Sequence, residues 1–255
     1  MSAIICKNLS YTYPDGTQAL RNINFQIEAQ EKVALIGANG SGKSTLQFHL
    51  NGLIAQQSGE IWIGSQPVLP KSLKAIRTQV GFVFQNPDDQ LFLTTVWDDI
   101  AFGPKNLGLK EPVLSQRVEQ ALLTVQLEPS VYGPRHPDRL SGGEKKRVAI
   151  AGVLAMEPAI LVLDEPSAQL DPAARRRLIH LLRSLPLTQL IATHDLDLVL
   201  ELCDHTLVLS EGHLVYDGPT YPLMLDPAFL QAHRLESPLS FQRAYCHLSD
   251  RPDSP

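Results

Sequence analysis

The run GANGSGKST, residues 37–45, sets glycine, lysine and hydroxyl residues at the spacing G-x-x-x-x-G-K-[ST]. That pattern suits the holding of phosphate. Its glycines let the backbone of Gly37, Ala38, Asn39, Gly40, Ser41 and Gly42 wrap closely round an anion, and the amides that open a helix supply a positive field. Lys43 can then reach the β- and γ-phosphates, while the hydroxyl of Ser44, next to Thr45, can ligate Mg2+. A glycine-rich turn before a helix also arises for purely structural reasons, so context is the test. Here an apolar strand, residues 33–36, runs into the loop. A helix through Leu46 and Leu50 leaves it and ends at Gly52.

Further stretches carry groups that could act on such a ligand. ILVLDEP puts Asp164 and Glu165 at the carboxyl end of an apolar strand, the edge at which open parallel sheets bind ligands. Asp164 is placed to hold Mg2+ through its water shell. Glu165 can take a proton from an attacking water, a role worth about 10²–10⁴ in rate. LSGGEKKR, residues 140–147, opens a helix, and Ser141 and Glu144 have the spacing of a capping box, which is a sufficient structural reason for both. Gly142 and Gly143, however, are poor first-turn residues and suit a backbone that something must approach closely. An open helix N-terminus there is a second anion site. Two such sites, far apart in sequence, are joined within one fold or shared between two copies. LIATHD sets His194 just after a strand, on the same edge as Asp164. A lone histidine at a strand end is usually structural; beside these motifs it can bond a γ-phosphate or orient water. FQNPDDQLF ends a short apolar run on Gln85 and continues into Asn86-Pro87-Asp88, which is ordinary turn chemistry taken alone.

These residues need a scaffold that alternates strands and helices. Short strands are expected at 4–9, 23–27, 33–36 and 61–63, with a turn at Tyr13-Pro14-Asp15-Gly16. One helix is expected over 112–129, with Leu114, Val118, Ala121, Leu122 and Val125 on one face, and another from Ser141 to about Met156, stopped by Pro158. Two buried strands, AILVLDEP and TQLIATHD, flank a helix that begins at Pro172. The order predicts a largely parallel sheet with helices on both faces. After Gly218 the chain is proline-rich and weakly patterned, and it reads as a loosely packed tail.

The 255 residues suit one large domain or a core with subdomains, and 44% hydrophobic content allows a sizeable core. Acidic residues outnumber basic ones 27 to 22, for a net charge of −5, which argues against a nucleic-acid partner. The one dense basic cluster, Arg175-Arg176-Arg177, falls in a helical pattern and reads as a solvated face. Cys6, Cys203 and Cys246 form neither a disulfide framework nor a metal spacing. No stretch reads as a signal peptide or a membrane span.

Taken together, these motifs resemble the nucleotide-binding subunits of ABC transporters over residues 11–218. The resemblance implies an α/β P-loop NTPase (RecA-like) core with a small antiparallel β-subdomain and an α-helical subdomain at about 86–157. The ATPase domain would span 1–220 and a C-terminal tail 221–255. It implies ATP and Mg2+ as ligands, with Ser44, Gln85 and Asp164 near the metal. Tyr13 would stack on adenine. Gln85, Glu165 and His194 would serve hydrolysis, Ser141, Gly142, Gly143 and Glu144 would form the signature, and residues 167–171, SAQLD, would resemble the D-loop. Glu144 departs from the usual glutamine, and capping of its own helix is the expected reason. Family members close head to tail, so a homodimer or a paired ATPase subunit is implied. A membrane subunit would dock near residues 85–90, with Asp88 and Asp89 in its groove, placing the chain peripherally on the cytoplasmic face of the plasma (inner) membrane. FQNPDDQLF and LSGGEKKRVAIAGVLAM are similar to the energy-coupling-factor branch, which imports cobalt, nickel or vitamins. A single cassette of this length looks most like the cobalt/nickel ATPase subunit. Vitamin uptake, and more remotely a soluble non-transport ATPase, are the alternatives.

Overall fold

The computed structural model describes residues 2–241; Cys246 and the rest of the expected tail lie outside the described residues. In chain order the elements are β1 (Ser2–Thr12), β2 (Gln18–Glu28), β3 (Lys32–Ile36), α1 (Lys43–Leu50), β4 (Ser58–Ile63), β5 (Gln66–Pro67), α2 (Leu73–Gln79) and β6 (Val80–Val83). There follow α3 (Val96–Asn106), α4 (Val113–Thr124), α5 (Pro129–Tyr132), α6 (Gly142–Leu154), β7 (Ile160–Asp164), α7 (Pro172–Ser184), β8 (Thr188–Ala192), α8 (Leu196–Leu202), β9 (His205–Ser210), β10 (His213–Pro219), α9 (Thr220–Met224) and α10 (Pro227–Ala232).

The strands form two sheets. One is antiparallel, in the order β2-β1-β4-β5. The other runs β10-β9-β3-β8-β7-β6, parallel except for β10, which pairs antiparallel with β9. The centres of its middle strands are apolar because both faces are covered. Ala34, Ile36, Leu161, Leu163 and Ile191 point to one side, into a core shared with α4, α6, α7 and α8. Val33, Leu35, Ile160, Val162 and Leu190 point to the other, into a core shared with α1 and the antiparallel sheet. In that sheet the alternation of Ile23, Phe25 and Ile27 inward with polar neighbours outward sets which face is buried.

Three expectations change. The helix expected over 112–129 stops at Thr124, because Gln126 takes a left-handed conformation (φ 58°) and the Leu127 amide turns back to the Leu122 carbonyl. A separate turn of helix, α5, follows it. The segment after Gly218 is not loosely packed in its first part: Leu223, Met224 and Leu230, on α9 and α10, are buried in the core with the α8 residues Leu198 and Val199. Short helices of five and six residues carry too few turns for a periodic pattern to show. The arginine run is also not simply solvated. Arg175 makes a bidentate pair with Asp195 (2.7 and 2.9 Å), and Arg176 pairs with Glu201.

Beneath the sheet, His205 at the start of β9 bonds Glu31 through Nδ1 and Asp217 through Nε2, each at 2.6 Å. Burial opposes charging of the ring, but the bonds to Glu31 and Asp217 outweigh it and raise its pKa above the ordinary 6.5. The imidazolium therefore ties the β2–β3 turn to the β9–β10 hairpin. A raised folded pKa gives stability that is fully present below pH 6.5 and is lost as pH rises through the native value. Wild type should therefore melt at lower temperature at pH 8.5 than at pH 6. His205→Gln should flatten that difference and lower the melting temperature at pH 6 by about 2–4 °C, the equivalent of about 1 kcal/mol for two partly exposed charge-assisted bonds. Thermal unfolding of both proteins across this pH range is the measurement.

Candidate functional site

The loop of residues 37–45 leaves β3 at the carboxyl edge of the parallel sheet and enters α1. Gly42 precedes that helix with φ 109° and without a side-chain cap, so the helix N-terminus stays open. A Cβ on Gly42 would come within 2.6 Å of the Ala19 carbonyl, which leaves glycine as the residue that fits. The Lys43 ammonium donates to the carbonyls of Gly37 (2.7 Å) and Ala38 (3.2 Å), within its own loop. Burial lowers its pKa, and Glu165 and Asp164 pull the other way.

Asp164 and Glu165 emerge from β7 on the same edge. Asp164 Oδ2 accepts from the Ser44 hydroxyl at 3.2 Å. Burial raises the Asp164 pKa, the Ser44 bond opposes it, and the adjacent Glu165 raises it further. A half-buried carboxylate that is raised, next to a hydroxyl and an open helix N-terminus, is a donor set with room for a hard cation and an anion together. The oxygen ligands and their spacing fit Mg2+, which takes one or two protein oxygens and completes its shell with phosphate and water. Glu165 is buried and sits at φ 43°, a strained conformation for a side chain that is not glycine. Its amide donates to the Ala192 carbonyl at 2.8 Å. Its Oε2 receives the Thr193 hydroxyl (3.2 Å), the His194 amide (3.3 Å) and His194 Nδ1 (2.8 Å). The carboxylate and the histidine are thus already in contact across the β7–β8 edge.

One open cleft of about 1670 Å3 gathers these groups. It exceeds the roughly 300–1,000 Å3 of a small-molecule pocket, so its size does not limit a nucleotide-sized ligand. Residues 37–40, residues 42–45, Tyr13, Gln85, Asp164, Glu165 and His194 all line it. Ser41 is the exception: its side chain is buried beneath the loop. Tyr13 meets Thr45 Oγ1 with its hydroxyl at 3.0 Å and is braced edge-on by Tyr11.

Ser141, Gly142, Gly143 and Glu144 are not in this cleft. They start α6 on another part of the surface. Ser141 and Glu144 form the capping box in full: the Ser141 amide and hydroxyl donate to Glu144 Oε2, each at 2.8 Å, and the Glu144 amide donates back to Ser141 Oγ. Tyr132 adds a bond to Glu144 Oε1 at 2.9 Å. Burial pushes the Glu144 pKa up, and the Ser141 and Tyr132 bonds outweigh it and hold it low. The two glycines have different reasons. A Cβ at Gly143 would meet Ala174 of α7 at 2.9 Å, so close packing inside the chain explains it. Gly142 faces open space, with nothing within 4 Å.

The acidic turn after Gln85 also differs from expectation. Asp88 is not a free carboxylate: Lys145 of α6 pairs with it at 2.6 Å. The adjoining surface is instead apolar. Phe92 and Phe102 are exposed, stack edge to face at 5.1 Å, and line a small groove with Leu93 and Lys105. Two site neighbours escaped the sequence reading. Lys146 is 2% exposed, and its Nζ donates to the Gln85 and Phe84 carbonyls. Its signal was available: it falls on the buried stripe of α6 with Ala149, Ile150 and Val153, where a charge is out of pattern. The other is Arg175, whose pair with Asp195 anchors the segment bearing His194. Nothing in its spacing marked it.

Comparison with known proteins agrees with this geometry. The ABC transporter family model matches residues 20–168. This chain belongs to the ATP-binding subunits of ABC transporters. It is an ATP-hydrolysing transporter subunit of the energy-coupling-factor type. Similar proteins include the energy-coupling factor transporter ATP-binding protein EcfA1 of Methanospirillum hungatei, 44% identical over 94% of this chain and 87% of its own length. The EcfA protein of Methanothermobacter thermautotrophicus is 46% identical, over 91% and 76%. Among solved structures, cbiO1 of Clostridium perfringens, part of the ABC transporter complex cbiONQ, superposes with TM-score 0.81 at 39% identity, covering 91% of this chain and 94% of that one. A dimeric bacterial ABC transporter cassette gives TM-score 0.76 at 29% identity, over 85% and 98%.

The capping box makes a prediction about the unusual signature residue. Glutamine can fill the same role as glutamate in a capping box, so Glu144→Gln should leave the melting temperature within about 1 °C of wild type. Glu144→Ala should lose about 0.5–1.5 kcal/mol, or roughly 1–5 °C. Equal melting temperatures for all three proteins would show that the box contributes nothing.

Proposed function

We propose that this ABC cassette binds Mg2+-ATP in the cleft and hydrolyses it together with a second cassette to drive import of cobalt or nickel ions. The observation that carries the ATPase site is the convergence of Lys43, Ser44, Asp164, Glu165, His194 and Gln85 on one sheet edge. In this reading the open α1 N-terminus and Lys43 hold the β- and γ-phosphates. Ser44, Asp164 and the Gln85 side chain would hold the metal, which would supply neutralising charge for phosphoryl transfer. Tyr13 stacks on adenine. Glu165 takes a proton from the attacking water, and His194, already bonded to it, fixes its orientation and faces the γ-phosphate. The Gly142 end of α6, open to solvent and outside the cleft, supports the arrangement in which a second cassette, a copy or a paired subunit, receives the signature over its nucleotide.

The resemblance to the cobalt/nickel branch supports this cargo, and the likeness to cbiO1, part of the ABC transporter complex cbiONQ, supports a place in a transporter complex. Among the described residues no helix is long and apolar enough to cross a membrane. The family resemblance, and the part that cbiO1 has in an ABC transporter complex, support a peripheral place on the cytoplasmic face of the inner membrane, against an integral membrane subunit. The Phe92–Phe102 groove beyond Gln85 supports docking there, because an exposed aromatic pair beside polar residues is the usual make-up of an interface core.

Glu165→Gln should bind ATP with wild-type affinity and hydrolyse it about 10²–10⁴ times more slowly. It should elute as an ATP-bound dimer in size-exclusion chromatography, because hydrolysis opens the closed pair. A monomer with normal turnover would contradict both the base and the shared site. For the cargo, the chain co-purified with its membrane partners and reconstituted in vesicles should take up radiolabelled cobalt or nickel on ATP addition. Uptake of a vitamin instead would move the chain to the other branch.

A further inference from the structure

The ladder between β6 and β7 ends at the pair Val83↔Leu163, and β6 is the outer strand of its sheet. Phe84 and Gln85 lie beyond that last rung, where no sheet partner sets their peptides. Both of their carbonyls accept from one group, the Nζ of Lys146. Burying an ammonium to 2% exposure costs several kcal/mol unless it is paired and hydrogen-bonded. An apolar residue would satisfy the core stripe of α6 without that penalty. Two neighbouring contacts run between the same two segments: Lys145 Nζ to Asp88 at 2.6 Å, and Gln90 Nε2 to the Ala149 carbonyl at 2.7 Å. Lys146 differs from these in gripping the peptide of Gln85 itself. It also stands on the helix whose first turn is Gly142-Gly143.

We infer that Lys146 is a positioning residue for ATP hydrolysis: its buried ammonium clamps the Phe84–Gln85 backbone to α6. The place of the Gln85 side chain in one nucleotide cleft is then tied, through its own peptide, to the helix end presented to another. A shift of the signature helix on meeting a second cassette is carried to Gln85 through this bond, and a shift of the loop is carried back to the helix. The inference rests on the ATPase reading above, with Gln85 at the reacting phosphate.

The test is steady-state ATP hydrolysis by the full chain, with kcat and KM measured for wild type, Lys146→Met, Lys146→Gln, Gln85→Ala and the double variant Lys146→Met with Gln85→Ala. Displacement of a positioned group by about 1 Å can cost up to about 10²-fold in rate. Lys146→Met should lower kcat by about 10-fold or more and change KM by less than about 2-fold. Lys146→Gln, which still donates to a carbonyl, should recover to within about 3-fold of wild type. The double variant should be no slower than the slower single one, because both changes act on the same group. Wild-type kcat in Lys146→Met, multiplicative losses in the double variant, or no recovery with glutamine would each overturn the inference. So would a chain that fails to fold with either Met or Gln at position 146, since that assigns the lysine to stability alone. The ATPase reading is judged separately. A Gln85→Ala variant with unchanged turnover sinks that reading and this inference with it. A slow Gln85→Ala beside multiplicative losses in the double variant sinks the inference alone.

Discussion

Everything in the cleft depends on the register of three parallel strands. Ala192 of β8 is level with Leu35 of β3 on one side and with Asp164 of β7 on the other. The loops that follow these strands therefore leave the sheet at one height. The ladder then runs one bond further on each side: the Thr193 amide reaches the Leu35 carbonyl at 3.2 Å, and the Glu165 amide reaches Ala192 at 2.8 Å. A slip of one residue in β7 would turn Asp164 away from Ser44 and send Glu165 into the core, because side chains alternate faces along a strand. Both faces of these strands are covered by apolar packing, so the register is held by the whole core and not by the polar groups that use it.

That rigid edge carries groups under tension. Glu165 takes a left-handed conformation and is buried among His194 and Thr193. Asp164 is pushed toward its neutral form, mainly by burial. Lys43 is pushed toward its neutral form as well, again by burial, and satisfies itself on its own loop. Each of these penalties would be relieved by an opposite charge: the carboxylates by a cation, the ammonium by a polyphosphate. The groups are held in place by the strand ends before any ligand arrives, and a site so preorganised keeps reorganisation small.

Much of this was legible in the sequence because it depends on contiguous residues. The glycine-rich loop, the acidic strand end and the capping box each lie within about ten residues, and spacing alone carries their geometry. What was not legible depends on contacts between distant segments. The pairing of Asp88 with Lys145 crosses 57 positions, and the clasp of Asp195 by Arg175 crosses 20. Single charges on a turn or a helix face look the same whether solvated or paired. The buried ends of α9 and α10 were missed for another reason, since Leu223, Met224 and Leu230 sit in helices too short to repeat.

The acidic turn shows how one short segment can serve two surfaces. Asp88, on its exposed side, and the Gln85 carbonyl, on its inner side, are held by consecutive lysines of α6. Its far end leads to Phe92, whose amide and that of Leu93 are both held at 3.0 Å by the buried carboxylate of Asp99. Asp99 has its pKa raised, chiefly by burial, and these two bonds oppose that rise. The loop is thus fixed at both ends by buried charges on different helices, with Gln85 at one end and the exposed aromatic pair at the other. A stiff segment so anchored transmits displacement better than a solvated one, because its backbone cannot absorb the motion in loose dihedrals. Gln85 and the exposed aromatic pair are then the two ends of one anchored segment.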